Sequence, residues 1–121
     1  MASLTDAETM MITACDWLAS QQAKMIECLK TLVDIDSNSY DKAGTDAVAD
    51  VIVEWLEADG IDVTRTPRPE SGDILEARLE GDGSDASAGH VLMMGHRDTV
   101  FPTGTVAERG FTREGDTGYG P

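Results

Sequence analysis

The stretch Val91-Leu92-Met93-Met94-Gly95-His96-Arg97-Asp98-Thr99-Val100 constrains this chain more than any other. Four consecutive apolar residues end in a glycine, and a histidine and an aspartate follow two positions apart. A short apolar run of this kind predicts a strand buried on both faces, as inside a parallel or mixed sheet. Such a strand needs neighbours on both edges and cover on both faces. His96 and Asp98 then fall at its C-terminal end, where open α/β sheets form their ligand crevice. A neutral imidazole is a common zinc ligand, and a ligand His usually gives its other ring N–H to a carboxylate or carbonyl. Taken alone, His-x-Asp in a loop is more often a solvated pair than a metal site.

The 121 residues suffice for one small domain with a core, and 40% are hydrophobic. No run approaches the roughly 18 apolar residues of a membrane span. The net charge is −14, from 23 acidic and 9 basic residues. That field repels nucleic acid and anionic membranes, and neither is expected as a partner. Met1 to Ser20 carries Asp6, Glu8 and Asp16 without Lys or Arg, the wrong charge for a secretory or transit segment, so the expected compartment is the cytoplasm. Cys15 and Cys28, if on one helix, are rotated by about 220° and cannot pair there. They read as small buried or half-buried apolar residues.

Thr5-Asp6-Ala7-Glu8 matches a capping box. From Asp6 to about Val33 there is no Gly or Pro, and Leu18, Met25, Leu29 and Leu32 recur at helical spacing. This predicts one long helix with an apolar stripe, or two joined near Ser20, with the methionines as core filler. Asp34 to Ser39 is a turn cluster. A further helix is predicted from near Thr45 to about Asp59, with Val48, Val51, Ile52, Trp55 and Leu56 inward and Gly60 as its stop. Ile61 and Val63 begin a strand that leads into a loop with Pro67 and Pro69. Ile74 to Glu80 is a second strand, Gly81 to Gly89 a hairpin connection, and His90 to Gly95 the third strand. After Val100 the pattern is loop-like. The fold class expected is α/β: helices followed by a mixed, incomplete sheet.

The block MMGHRDTVFPTGTVAERGFTREGDTGYGP resembles the dinuclear zinc peptidases and deacylases that include glutamate carboxypeptidases, aminoacylases, acetylornithine deacetylase and succinyl-diaminopimelate desuccinylase. That family has an apolar strand, then His-x-Asp-Thr-Val, then a loop ending in Tyr/Trp-Gly-Pro/Arg-Gly-x-x-Asp. LKTLVDIDSNSYDKAGTDAVADVIVEWLEADGIDV looks like its first helix, loop, second helix and first strand. The resemblance implies that residues 1–121 are the N-terminal portion of a metallopeptidase catalytic domain, without the lid and dimerisation domain or the C-terminal part. It implies His96 as a zinc ligand. Asp98 matches the acidic residue of the catalytic site that orients a ligand His or tunes a neighbouring glutamate. Tyr119, Gly120 and Pro121 match the lead-in to a bridging aspartate beyond the chain.

The implied activity is hydrolysis of an amide or peptide by metal-activated water, with a small peptide or N-acyl amino acid as substrate. The metal would be zinc, two per site, or cobalt or manganese in its place. Full-length members are often homodimers. His90 is a poor second ligand, since six strand residues separate it from His96 by about 20 Å. With one ligand and one supporting carboxylate, the chain alone is expected to be inactive and to bind zinc weakly. The alternative is a truncated, non-catalytic module that binds a partner.

The acid excess fits either adaptation to a saline cytoplasm or an ordinary acidic protein. Unfolding midpoints at low and molar salt separate the two, because screening removes self-repulsion. A midpoint that does not rise with salt excludes the first.

Overall fold

In the computed structural model of the chain, residues 5–81, 89 and 91–121 are described. The chain forms two compact units, Met1–Leu32 and Val33–Pro121. His90 and most of the expected hairpin connection lie outside the described residues.

In the first unit the helical stretch is two helices. The first, α1 (Asp6–Ser20), opens with the expected box: Thr5 Oγ1 accepts from the Glu8 amide, and the Glu8 carboxylate accepts from the Thr5 amide at 2.7 Å. It ends because Gln21 leaves the helical region at φ −92° and ψ 2°, its N–H turning back to the Leu18 carbonyl. The second, α2, runs Gln22–Val33. Neither helix has a buried residue, so the predicted stripe is not a core: Trp17, Leu18, Met25 and Leu29 are all exposed. The two helices do not pack extensively against each other, so neither apolar face gains a covering layer there. The methionines are likewise exposed at Met10, Met11 and Met25, and Cys15 is exposed while Cys28 is half-buried.

The second unit is built on α3 (Lys42–Ala58). It starts three residues before the expected Thr45 because the Asp41 carboxylate accepts the Gly44 amide at 3.1 Å and caps it. It ends at Asp59, with Gly60 at φ +76° as its stop. Val48 and Ala49 are the fully buried apolar residues among those described, with Thr45 beside them. Val51, Ile52, Trp55 and Leu56 are half-buried on the same face. Strands β1 (Val63–Thr66) and β2 (Ile74–Ala77) pair antiparallel, from Val63 opposite Ala77 to Thr66 opposite Ile74.

The third expected strand is not formed. Val91, Leu92, Met93 and Met94 have no strand partner among the described residues, and they are 79–93% exposed. An apolar run becomes a strand only when another backbone satisfies its amides and another layer covers its side chains. The expected mixed sheet is therefore replaced, among the described residues, by small antiparallel pairs and a single parallel bridge between Asn38 and Thr99. The overall class is mixed α and β.

The segment after Val100, expected to be loop, contains a short helix α4 (Thr105–Arg109) and a hairpin of β3 (Thr112–Glu114) and β4 (Thr117–Tyr119). The hairpin turns on Gly115-Asp116, with Gly115 at φ +59°. A Gly-Asp pair between strand-forming residues is the signal that identifies such a turn in sequence.

Gly44 tests how tightly this unit closes. A Cβ there would lie 2.2 Å from the Asp36 carbonyl oxygen. Alanine improves helix propensity by about 1 kcal/mol, but overpacking against backbone costs up to about 3 kcal/mol. Gly44→Ala is expected to destabilise the chain by about 2 kcal/mol in urea unfolding. A neutral or stabilised variant would show that the Asp36 loop yields.

Candidate functional site

The segment Gly95 to Asp98 belongs to no helix or strand, and it is joined to the second unit at Thr99, which bridges Asn38. Arg97 turns to one side. Its Nε donates to the Thr45 carbonyl at 2.8 Å and its Nη2 to the Asp73 carbonyl. His96 and Asp98 turn to the other side and meet. His96 Nδ1 lies 3.1 Å from Asp98 Oδ1 and 3.0 Å from the Asp98 carbonyl oxygen. Both partners are acceptors, so in the neutral ring Nδ1 carries the proton and Nε2 the lone pair. The His96 side chain is 84% exposed and that of Asp98 39%.

The downstream end is fixed by Ser37-Asn38-Ser39. The Thr99 amide donates to the Ser37 carbonyl at 2.8 Å, and the Ser39 amide to the Thr99 carbonyl at 3.0 Å. Asn38 Nδ2 donates to the Phe101 carbonyl at 2.8 Å. The Ser39 hydroxyl faces Asp98 Oδ2 at 2.5 Å and the Thr99 carbonyl at 3.2 Å. One hydroxyl has one proton, and the shorter contact to the charged acceptor takes it. That bond holds the Asp98 carboxyl below its usual value, partial burial opposing it and the His96 ring adding to it.

The same loop orders the segment downstream of the pair. Asp36 accepts the Gly104 amide at 2.8 Å and the Val106 amide at 3.1 Å, capping α4, which has no side-chain cap of its own. Asp34 accepts the Phe111 amide at 2.7 Å, and Asp41 the Thr103 hydroxyl at 2.9 Å. The residues read in sequence as a turn cluster are thus the anchor of the entire segment beyond the site.

On the Arg97 side lies an ionic network. Asp73, itself buried, accepts from Lys42 Nζ at 2.5 Å, Arg65 Nε at 2.7 Å and the Arg68 amide at 3.1 Å. Lys42 first, then Arg65, holds its carboxyl well below the ordinary range. Asp46 accepts from Lys42 at 2.6 Å and from the Asp73 amide at 2.8 Å. Between this network and the His-Asp pair lies a cleft of about 340 Å³, lined by Ser39, Thr45, residues 71–75 and residues 95–98. It is at the small end for a ligand site.

The structure brings His96 and Asp98, the two residues singled out in the sequence, into contact, and it places Ser39, Arg97 and Asp73, which were not singled out, around them. Ser39 was not legible in the sequence, because 59 positions separate it from Asp98. The donor chemistry fits one metal ligand, His96 Nε2, with Asp98 orienting it. Among the described residues no three His, Cys, Asp or Glu come together to complete a metal site. No helix among them is long and apolar enough to cross a membrane.

Ser39→Ala is expected to raise the Asp98 titration toward the usual value of about 3.9 and to cost about 1 kcal/mol near neutral pH. The sign follows from the depressed folded pKa. The bond stabilises the fold above pH ~4 and is lost as pH falls through the folded value. Parent and variant therefore converge in acid, measurable by carboxyl carbon NMR and urea unfolding at two pH values. A constant difference across pH would contradict this.

No family model matches the chain. Over 103 residues the chain is 32% identical to Carboxypeptidase G2 of Pseudomonas sp. (strain RS-16), a match covering 84% of this chain and 24% of that protein. The chain spans about a quarter of the length of the curated relative it matches, and across most of its own length it is similar to a carboxypeptidase.

Proposed function

We propose that the chain is the N-terminal part of a zinc-dependent amide or peptide hydrolase, of the carboxypeptidase or N-acyl-amino-acid deacylase type. In this reading His96 is a metal ligand and Asp98 its orienting carboxylate. The observation that carries it is the contact of His96 Nδ1 with two oxygens of Asp98, which leaves Nε2 free and outward. That is the arrangement a metal-ligating His needs: one nitrogen for the ion, the other held by an acceptor that fixes the tautomer. The similarity to Carboxypeptidase G2 supports the same reaction class.

Zinc in such a site supplies Lewis acidity toward a carbonyl and toward water. The surrounding residues contribute orientation. Asp98 holds the imidazole, the Ser39 hydroxyl holds Asp98, and Thr99 fixes the backbone that carries both. The cleft admits a small polar group, which suits one end of a small peptide or an N-acyl amino acid. With one imidazole donor and no completed ligand set among the described residues, the 121-residue chain by itself is read as inactive.

Zinc titration of the chain and of His96→Gln tests this. Binding to the parent is expected to be weak and to be lost in the variant, with Asp98→Asn weakening it about 10–100-fold. Zinc binding indifferent to His96→Gln would sink the metal-ligand reading and leave the partner-binding module. Hydrolysis of an N-acyl amino acid by the chain alone, abolished by a chelator, would overturn the inactivity expected of it.

A further inference from the structure

The His96-Arg97-Asp98 tripeptide is held unevenly. Downstream, Thr99 is pinned through two backbone hydrogen bonds. Upstream, Val91 to Met94 are exposed and unpaired among the described residues, and a Cβ built at Gly95 meets nothing within 4 Å. The Arg97 side chain ties the upstream half to the body of the unit. It is 19% exposed between neighbours that are 84% and 39% exposed. Its two donors reach main-chain oxygens from two different elements: Thr45 in the first turn of α3, and Asp73 just before β2. The Asp46 carboxylate stands off at 3.7 Å, so the guanidinium is used as a fork more than as a charge. A lysine, with one nitrogen, can satisfy one carbonyl or the other but cannot reproduce the fork.

We propose that Arg97 is a positioning residue, whose clamp on the Thr45 and Asp73 carbonyls sets the direction of His96 and Asp98 and thereby keeps His96 in the Nδ1–H tautomer with Nε2 available. The proposal builds on the reading of His96 as a metal ligand, but its signature, the tautomer, does not require a metal. With Arg97 seated on Thr45 and Asp73, the backbone between His96 and Asp98 is fixed where the two side chains meet through Nδ1. Without it, Gly95 and the exposed run before it impose no direction on His96.

The test is nitrogen NMR of the neutral His96 ring in the full chain, in the parent, Arg97→Met, Arg97→Lys and Arg65→Met. The Arg65 variant breaks ion pairs to Asp46, Asp50 and Asp73 but removes neither the Arg97 guanidinium nor its two carbonyl acceptors, and so reports weakening of the surrounding network. The parent and Arg65→Met are expected to show Nδ1–H. Arg97→Met shifts to the mixed population of a free imidazole, and Arg97→Lys lies between. Zinc affinity falls about tenfold in Arg97→Met. A parent-like tautomer in folded Arg97→Met overturns the proposal, as does an equal shift in Arg65→Met. If Arg97→Met does not fold, a parent-like tautomer in Arg97→Lys overturns it. A tautomer shift together with zinc binding indifferent to His96→Gln supports the clamp and sinks the metal reading, so the two fail separately.

Discussion

Carboxylates and carbonyls that accept N–H groups from sixty or more residues away hold the second unit together. Asp34, Asp36 and the Ser37-Asn38-Ser39 backbone bind amides between Thr99 and Phe111. Few apolar side chains contribute, and Val48 and Ala49 are the fully buried ones among the described residues. Hydrogen bonds to charged acceptors contribute more than neutral ones but are directional, so they fix geometry tightly at the points they touch. The result is a unit whose polar contacts specify position while its hydrophobic burial stays small.

That balance explains the arrangement of the candidate site. His96 and Asp98 lie between two polar hubs, the Ser37–Ser39 backbone on one side and the Lys42–Asp46–Arg65–Asp73 network on the other. Each hub is held largely by α3 and the residues just before it. The helix is therefore the frame on which a short segment is held. In the Asp73 network two cations, Lys42 and Arg65, share one carboxylate. The strong acid excess of the chain is organised here by a few basic residues rather than left as diffuse repulsion.

Much of the fold was legible residue by residue. The Thr5–Glu8 box, the α3 apolar face and its Gly60 stop, and the β1 and β2 strands all followed from local spacing. The failures have one physical origin. Leu18, Met25 and Leu29 have the spacing of a core stripe, and Val91 to Met94 the composition of a buried strand, yet both are exposed. Periodicity tells which residues could be buried together; it does not supply the second surface. The β3–β4 hairpin failed differently, since its Gly115-Asp116 turn was present and overlooked in a stretch dense with glycine.

The sequence by itself determined the chemistry at the centre: an imidazole and a carboxylate two positions apart, next to an apolar run, on a chain of net charge −14. Their identity and spacing are covalent facts and need no fold. Tertiary structure decided the rest. It brought Ser39 to Asp98 across 59 positions, seated Arg97 on Thr45 and Asp73, and made Asp36 the cap of a helix 70 residues downstream. Those contacts depend on direction and distance in space, and a linear pattern carries neither.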